Sequence, residues 1–314
     1  NLGAIGLMLQ NADGHDIELN ELTDVHQQLK LWDGIIESSF KADGRRVEVM
    51  TMCQPNRDCI TTRIKSELLK NGQAALRIRL PYPTGQHADA ASDWKQTALH
   101  TSDIIDQGSH YAVIRHSIDT TTYYLVLNWD AQASLQQAQP HEYVLKADGN
   151  DVLLLTAEYL PTPPTQYTTP INFEGNMKAV IKFWHRQWSQ GAFADFGQCT
   201  DPRAKELERR VVLSQYLTRI NCANNMPPQE TGLTYNTWFG RPHLEMTWWH
   251  AVDFALWNQP KVVAQMLDWY NTVAYPEARK IAQRQGFKGI RWMKMTDPWA
   301  GEAPSNTGSF LIWQ

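Results

Sequence analysis

The feature that most constrains the fold is an alternation of apolar and polar residues that runs through much of the first 160 residues and then stops. It is clearest in six stretches, at 47–54, 74–83, 110–118, 121–129, 142–147 and 151–160. Polar and glycine-containing turns such as ADGR, PNRD and KNGQ separate these stretches, as hairpins require. Because successive strand side chains point to opposite faces, the alternation indicates strands with one buried face. We predict an antiparallel β-sandwich over residues 1–160, lacking its first strands.

A proline-rich segment, PTPPTQYTTP at 161–170, ends the alternation. Proline fixes φ and has no amide hydrogen to donate, so this segment cannot continue the sheet. Apolar residues then recur at helical spacing over 173–191, and a second helix is predicted to begin from a cap at Thr200 or Asp201. We therefore predict a linker with linker helices over 161–225. The second helix carries an apolar stripe at Leu207, Val211, Leu213, Tyr216, Leu217 and Ile220.

The remaining residues are predicted to form helices followed by a loop. His243 to Trp257 is expected to be one helix. Pro260 stands where a first-turn proline belongs, and Pro276 is expected to interrupt the helix that follows. Two helices joined by a short connection form an antiparallel helical hairpin. The segment 287–308 lacks a helical period and is predicted to be a long structured loop, which is a common place for function.

The composition excludes several classes of protein. The formal net charge is −4, and lysine and arginine form no basic stripe, which argues against a nucleic-acid partner. No apolar segment is long enough for a membrane span, and the N-terminal residues lack the features of a signal peptide. Cys53 and Cys59 flank a turn and could form a disulfide or stay as free thiols, whereas Cys199 and Cys222 have no metal-ligand spacing.

Tryptophans are concentrated near the end of the chain. Trp257 and Trp269 lie in apolar surroundings and are expected in the core, but Trp238, Trp292 and Trp299 lie in polar, loop-like stretches. An indole can pack against the apolar C–H face of a sugar ring, while nearby polar groups bind its hydroxyls. The pattern therefore predicts a sugar-binding site.

The two histidines in this region do not fit a metal site. His243 and His250 are seven residues apart, which places them roughly 10.5 Å apart along a helix. A zinc protease helix would instead carry two histidines at i and i+4. We predict no metal and no cofactor. His243 is expected to bind a ligand hydroxyl, and a structural role is an equally good interpretation for His250.

Glu245 lies within one helical turn of Trp248 and Trp249. A carboxylate in that position could accept hydrogen bonds from sugar hydroxyls, or act as a catalytic acid whose pKa is raised by burial. It could also be a helix-start glutamate that favours the helix dipole. Asp297 and Glu302 are the other carboxylates of the following loop, where solvation alone would account for them.

Two long stretches resemble a known family. QETGLTYNTWFGRPHLEMTWWHAVDFALW, followed by DWYNTVAYPEARKIAQRQGFKGIRWMKM and GEAPS, is similar to bacterial glycoside hydrolases with a six-hairpin (α/α)6 barrel, in the family-65-type branch. The resemblance extends upstream through DPRAKELERRVVLSQYLTRINCA and into LKLWDGIIESSF. It covers essentially the whole chain.

The resemblance implies an architecture and a site. The family has an N-terminal β-super-sandwich, a helical linker and then the barrel, so residues 226–314 are expected to be the first, incomplete part of that barrel. The site residues it implies, together with the two helix tryptophans, are Trp238, Arg241, His243, Trp248, Trp249, Trp292 and Lys294 for substrate binding, and Glu245 and Glu302 for catalysis.

The resemblance also implies an activity. We expect an inverting exo-acting glycoside hydrolase for a small oligosaccharide or glycoside, with its general acid beyond Gln314, in the missing remainder of the polypeptide. The alternatives are a glycoside phosphorylase, to whose phosphate site Lys294 and Ser305 could contribute, and a non-catalytic carbohydrate-binding protein. A carbohydrate role and a Cys53–Cys59 disulfide would suit a periplasmic or secreted protein.

Overall fold

The chain forms two units in the computed structural model. Contacts group residues 1–84 and 92–186 into the first unit, and residues 85–91 and 187–314 into the second. The residues described are 1–130, 132–165, 172–233 and 235–302, with the backbone of 312–313. The finer division into sandwich, linker and barrel segments, with boundaries after residues 160 and 225, stays a prediction.

The first unit is built from antiparallel strands. The first thirteen strands of the chain, of which only β7 belongs to the second unit, are β1 Ala4–Leu9, β2 Thr23–Lys30, β3 Ile35–Ala42, β4 Arg45–Cys53, β5 Cys59–Lys65, β6 Ala74–Arg79, β7 Ala88–Asp89, β8 His100–Gln107, β9 Tyr111–Ile118, β10 Thr121–Trp129, β11 Ala133–Gln139, β12 Glu142–Ala147 and β13 Val152–Leu160. A 3₁₀ turn spans Leu19–Glu21 and a short helix, α1, spans Glu67–Lys70. Each of the six predicted stretches contains a strand, so the predicted sandwich is confirmed.

Twelve of these strands, all except β7, form two sheets around one core. One sheet has the order β1-β6-β12-β11 and the other β2-β3-β4-β5-β13-β10-β9-β8. In β10 the alternate residues Leu125 and Leu127 are buried and join the same cluster as Leu76 and Leu145 of the smaller sheet. Burying such a side chain contributes about 1.5–3 kcal/mol each. The alternation seen in the sequence therefore marks the faces that the two sheets turn towards each other.

A long helix, α2 at Phe173–Gln190, meets the β2–β3 turn near its C-terminal end. Gly34 in that turn has a φ of +70°, and a Cβ built on it would lie 1.9 Å from the Trp184 ring. The neighbouring His185 Nε2 lies 2.8 Å from Asp33 Oδ1, and its ring centroid is 4.9 Å from that of Trp32. The turn is thus shaped to receive the indole of Trp184 against bare backbone.

The cysteines of the first unit are free thiols, so the disulfide left open by the sequence does not form. Cys53 is exposed and Cys59 is buried at the two facing ends of β4 and β5. Burial raises the pKa of the Cys59 thiol to about 11 and that of Cys53 above its usual value. Both thiols are therefore mainly protonated at neutral pH.

The second unit is mainly helical. Its elements are α3 Ala204–Cys222, β14 Asn236–Thr237, α4 Thr247–Leu256, α5 Pro260–Trp269, a π-helical segment Tyr270–Ala274, α6 Tyr275–Arg284, β15 Trp292–Met293 and β16 Ile312–Trp313, with 3₁₀ turns at Trp238–Gly240 and Leu244–Met246. Within the described ranges, no helix combines the length and apolar character that crossing a membrane requires.

Two helix predictions need correction. The predicted helix from His243 to Trp257 begins only at Thr247, because His243 is extended and its backbone bridges to Met295. Pro276 does not interrupt the helix, which continues from the π-helical segment into α6. It falls in the first turn of α6, directly after the π-helical segment, where a missing amide hydrogen does not break the helix.

Two further predicted features of this unit take a more specific form in the structure. The apolar stripe predicted on α3 is partly covered: Leu207, Leu217 and Ile220 are exposed, whereas Val211, Leu213 and Tyr216 are half-buried. Part of the predicted loop after residue 286 is paired, since β15 pairs with β16 and Thr296 forms a bridge with Glu302. Residues 303–308 of that predicted loop lie outside the described residues.

Candidate functional site

A left-handed turn places the first side chain of the site. Trp238, Phe239 and Gly240 have φ values of +46°, +61° and +66°. For residues other than glycine this conformation costs roughly 1–2 kcal/mol each. The pairing of β14 with β7 holds the turn: the Phe239 amide donates to the His87 carbonyl at 3.2 Å, and the His87 ring lies 4.7 Å from the Trp238 ring.

Gln229 organises the loop that precedes this turn. Its side-chain amide nitrogen donates to the carbonyls of Leu233 and, at 2.6 Å, of Tyr235. Its side-chain oxygen accepts from the Thr237 amide at 2.8 Å. One side chain thus ties three backbone groups of the loop together, next to Glu230.

Backbone hydrogen bonds connect this loop to two other segments. The His243 amide donates to the Pro228 carbonyl at 2.9 Å, and the Leu244 amide donates to the Lys294 carbonyl at 2.8 Å. These bonds explain why His243 is extended rather than helical. They also bring the segments that carry Glu230, His243 and Lys294 side by side.

Opposite charges meet between these segments. Lys294 Nζ lies 2.8 Å from Glu245 Oε2 and 5.3 Å from the centroid of the Trp238 ring. Glu245 Oε2 is also 3.8 Å from His243 Nε2. The lysine side chain is only 16% exposed and the glutamate 33%, so this ion pair is partly withdrawn from water.

Several buried polar atoms of the site have no hydrogen-bond partner among the described residues. These are both ring nitrogens of His243, whose side chain is fully buried, and Oε2 of Glu230. Buried polar groups are nearly always satisfied in folded proteins, so these atoms are candidates for hydrogen bonds to a ligand. With the Glu245–Lys294 pair, these two residues form what we call the His243 cluster: Glu230, His243, Glu245 and Lys294, beside the Trp238 ring.

Burial sets the protonation states in the cluster. Burial, then Lys294 and His250, lower the pKa of His243 to about 4, against an opposing effect of Glu245. Burial also raises the pKa of Glu230; Lys294 and His87 act against this, and Glu245 adds to it. At neutral pH the His243 ring is therefore uncharged, and can donate one hydrogen bond and accept another.

The other predicted substrate-binding residues are distributed more widely. Arg241 places its guanidinium 4.9 Å from the centroid of the Phe239 ring. Trp248 and Trp249 are each 67% exposed on α4. Their exposure leaves them available for contact with a ligand or with other protein.

Trp292 and Glu302 have different surroundings from those predicted. Trp292 is half-buried and packs edge-on against Tyr270 at 5.4 Å, in an apolar cluster with Leu244 and Trp269. Glu302 forms an ion pair with Arg284 and is not among the residues in contact with Glu245 in the described part of the chain. The role of Glu302 in catalysis stays a prediction.

Asp297 has a local structural role. Its Oδ1 accepts from the amides of Trp299 at 2.9 Å and Gly301 at 2.7 Å, which closes the loop between them. Trp299 is 71% exposed, whereas Trp269 is buried and donates to the Pro298 carbonyl at 3.0 Å. The prediction of Trp269 as a core residue agrees with this position.

Two residues of the site were missed by sequence reasoning. Glu230 stands beside Gln229 in QETG, a stretch that the resemblance included but whose carboxylate was not singled out. His87 lies about 150 residues before Trp238 in a stretch with no recognisable pattern, and only the β7–β14 pairing brings it close. Nothing in the sequence around His87 could have signalled this contact.

Because His243 is buried and uncharged, we expect the stability of the protein to depend on pH. The folded pKa of His243, about 4, lies below the value of 6.5 for an unperturbed histidine, so between these values the unfolded chain binds the proton and the folded chain does not. Stability should therefore fall as pH falls from about 6.5 to 4. We expect His243→Gln to remove roughly 1–2 kcal/mol of that decline, measured by urea unfolding at several pH values.

The control for this measurement is His15→Gln, at an exposed position. It should leave the pH profile of the wild-type protein unchanged. A His243→Gln profile that is parallel to the wild-type profile throughout this pH range would contradict the assignment of a neutral buried imidazole.

Comparisons with known proteins show the fold. No family model and no curated protein matches the sequence. A structure described as a putative kojibiose phosphorylase from the human microbiome matches 95% of this chain with a TM-score of 0.63 at 13% identity. This chain covers 42% of that one, which is less than half of its length.

Two other solved structures are more distant. A family 92 inverting mannosidase from Bacteroides thetaiotaomicron matches 61% of this chain, and 27% of its own, with a TM-score of 0.35 at 9% identity. A family 81 glycoside hydrolase from Clostridium thermocellum matches 62% of this chain, and 21% of its own, with a TM-score of 0.26 at 9% identity. The first neighbour alone supports a β-sandwich unit followed by part of a helical unit.

Proposed function

We propose that the His243 cluster binds a sugar and that this chain belongs to a carbohydrate-active enzyme. The observation that carries the proposal is the fully buried His243 ring, whose two nitrogens have no hydrogen-bond partner among the described residues, next to the Glu245–Lys294 pair and the Trp238 indole. The structural neighbour described as a putative kojibiose phosphorylase supports the same class of substrate.

The cluster offers the groups that sugar hydroxyls require. Each hydroxyl is both a donor and an acceptor, and it can be bound by a carboxylate that accepts, an ammonium that donates and a neutral imidazole that does either. Glu245, Lys294 and His243 supply one of each. Half-buried Trp238 adds an aromatic surface against which the apolar face of a pyranose can pack.

For the reaction, we propose hydrolysis with inversion by an exo-acting enzyme. Inverting hydrolases use two carboxyl groups about 6.5–9.5 Å apart, one as acid and one as base for water. In this chain, Glu245 and Glu302 are proposed to hold hydroxyls of the terminal sugar next to that chemistry, and Glu245 is the stronger candidate because it belongs to the cluster. We also propose that the helices of the second unit are the first part of an (α/α)6 barrel.

A second candidate is a glycoside phosphorylase, because the neighbour with the TM-score of 0.63 is described as one. Phosphate would then replace water as the nucleophile. Lys294 Nζ lies 2.8 Å from Glu245 Oε2, and its ammonium has further N–H donors that could bind phosphate while this pair is kept. Ser305, the other predicted phosphate ligand, lies outside the described residues.

The experiment is binding and turnover on a panel of mono- and disaccharides and aryl glycosides, with and without inorganic phosphate. Binding by calorimetry with phosphate-independent turnover supports hydrolysis, and phosphate-dependent turnover supports the phosphorylase. Binding without turnover would indicate a non-catalytic carbohydrate-binding protein. A complete absence of binding across the panel would overturn the assignment of the cluster to sugars.

A further inference from the structure

Three histidines converge inside the first unit, far from the His243 cluster in sequence. His100 begins β8, His116 lies in β9, and His141 lies in the turn that leads into β12. All three side chains are buried, and each offers a ring nitrogen within 4.8 Å of the others. The His100 and His141 rings are stacked with their centroids 3.6 Å apart.

The hydrogen bonds of His116 determine which of its nitrogens has a lone pair. The Tyr123 hydroxyl donates its one hydrogen to the Leu2 carbonyl, so towards His116 Nδ1, at 2.6 Å, it can only accept. His116 Nδ1 therefore carries the ring hydrogen. The lone pair is on Nε2, which faces His100 Nδ1 at 2.6 Å.

The same reasoning applies to His141. Its Nε2 lies 2.9 Å from the Thr97 carbonyl, which can only accept, so Nε2 carries the hydrogen. The lone pair of His141 is then on Nδ1, which is 2.8 Å from the Ser102 hydroxyl. The Tyr143 hydroxyl donates to Ser102 in turn, at 2.7 Å.

This arrangement matches the outer contacts of metal-binding histidines. Such histidines usually donate the ring N–H that does not face the metal to a carbonyl or another polar group, which fixes the tautomer and the ring orientation. His116 does so to Tyr123, and His141 does so to Thr97. Burial also lowers the pKa of His100 to about 4 and that of His116 to about 3, so the neutral imidazoles need not lose a proton to bind a cation.

The cluster also joins the two sheets of the unit. His100 and His116 belong to the larger sheet, and His141 precedes a strand of the smaller one. The backbone of His141 has a φ of +61°, and its carbonyl accepts from the Leu80 amide at 3.0 Å. A residue other than glycine held in this region is consistent with a position fixed for its side chain.

We propose that His100, His116 and His141 form a binding site for a divalent transition-metal ion, with Zn²⁺ as the first candidate, which ties the two sheets together. The three ring nitrogens lie within 4.8 Å of one another, and zinc–nitrogen bonds of about 2.0–2.1 Å would require the rings to adjust around the ion. The Ser102 hydroxyl, beside His141 Nδ1, is positioned to hold a water or to supply the fourth ligand. The prediction of no metal rested on the spacing of His243 and His250, and the spacing of these three histidines follows no metal-binding motif.

The test compares His141→Asn with His110→Asn in the full chain. Asparagine tolerates a positive φ, so the first change keeps the turn while removing the imidazole. His110 is exposed at the start of the neighbouring hairpin and serves as the matched control. Chelator-treated protein is titrated with Co²⁺, whose visible absorption reports tetrahedral nitrogen coordination, and then with Zn²⁺ to displace it.

We expect about one Co²⁺ per chain with a visible band in the wild-type protein and in His110→Asn, and loss of that band in His141→Asn. Zn²⁺ should raise the unfolding temperature of the same two proteins and not of His141→Asn, because an ion that binds only the folded state stabilises it. Absence of a Co²⁺ band in the wild-type protein, or an equal response in His141→Asn, would overturn the proposal. The three rings would then form a purely hydrogen-bonded network.

Discussion

Replacing Glu245 with glutamine is expected to weaken sugar binding by about 10- to 100-fold, which corresponds to the loss of a hydrogen bond to a charged acceptor. The substitution keeps the shape of the side chain and removes its charge. It also leaves the Lys294 ammonium, which is 16% exposed and 2.8 Å from Glu245 Oε2, without its counter-charge. Calorimetric titration with whichever sugar binds best measures the effect.

The matched control is Glu277→Gln. Glu277 also pairs with a lysine, Lys280, at 2.7 Å, but on the surface of α6. This change should leave sugar affinity within error of the wild-type value, because exposed ion pairs contribute little. Lys294→Met combined with Glu245→Gln should cost less than the sum of the single changes, since both remove one pair. Unchanged affinity in folded Glu245→Gln would exclude Glu245 from the binding site.

Replacing Gly34 with alanine is expected to lower the free energy of unfolding by about 2–5 kcal/mol. Roughly 1–2 kcal/mol comes from placing a Cβ in a left-handed backbone conformation, here with φ at +70°. The remainder comes from the Trp184 ring, whose nearest atom would lie 1.9 Å from that Cβ and would have to move. Chemical denaturation followed by tryptophan fluorescence measures the loss.

Gly44→Ala separates the two contributions. Gly44 has the same φ, +70°, but no atom lies within 4 Å of the position that its Cβ would take. It should therefore show only the backbone cost of about 1–2 kcal/mol. Equal losses in the two variants would show that Trp184 does not depend on a bare backbone at Gly34.

The fold was largely predictable because its signals are local. Apolar and polar residues alternate in β10 and β13 because one face of each strand is buried. This signal depends only on residues two apart in sequence. The helix starting at Pro260 was predictable for a similar reason, since a first-turn proline costs no hydrogen bond. The extended His243 was not, because its hydrogen bonds go to Pro228 and, through Leu244, to Lys294.

The candidate site was predicted in part. Trp238, His243, Glu245 and Lys294 were all proposed from the sequence, and the structure brings them together. Composition and resemblance could identify residue types that suit a sugar. They could not show which residue each side chain pairs with in the folded protein. Glu302 illustrates this limit, since its pairing with Arg284 depends on how the loop folds back on α6. The periplasmic or secreted location stays a prediction.

The number of residues in the π-helical segment between α5 and α6 sets the rotation of α6 about its own axis. Each added residue turns the rest of a helix by about 100°. Deleting one residue from Tyr270–Ala274 would rotate α6 by that amount and carry the buried Ala278 and Ile281 away from the core. The Ala278 carbonyl accepts from the Arg291 amide at 3.1 Å, three residues before Lys294. If the His243 cluster binds a sugar, its affinity should therefore be sensitive to the number of residues in a helical segment outside that cluster.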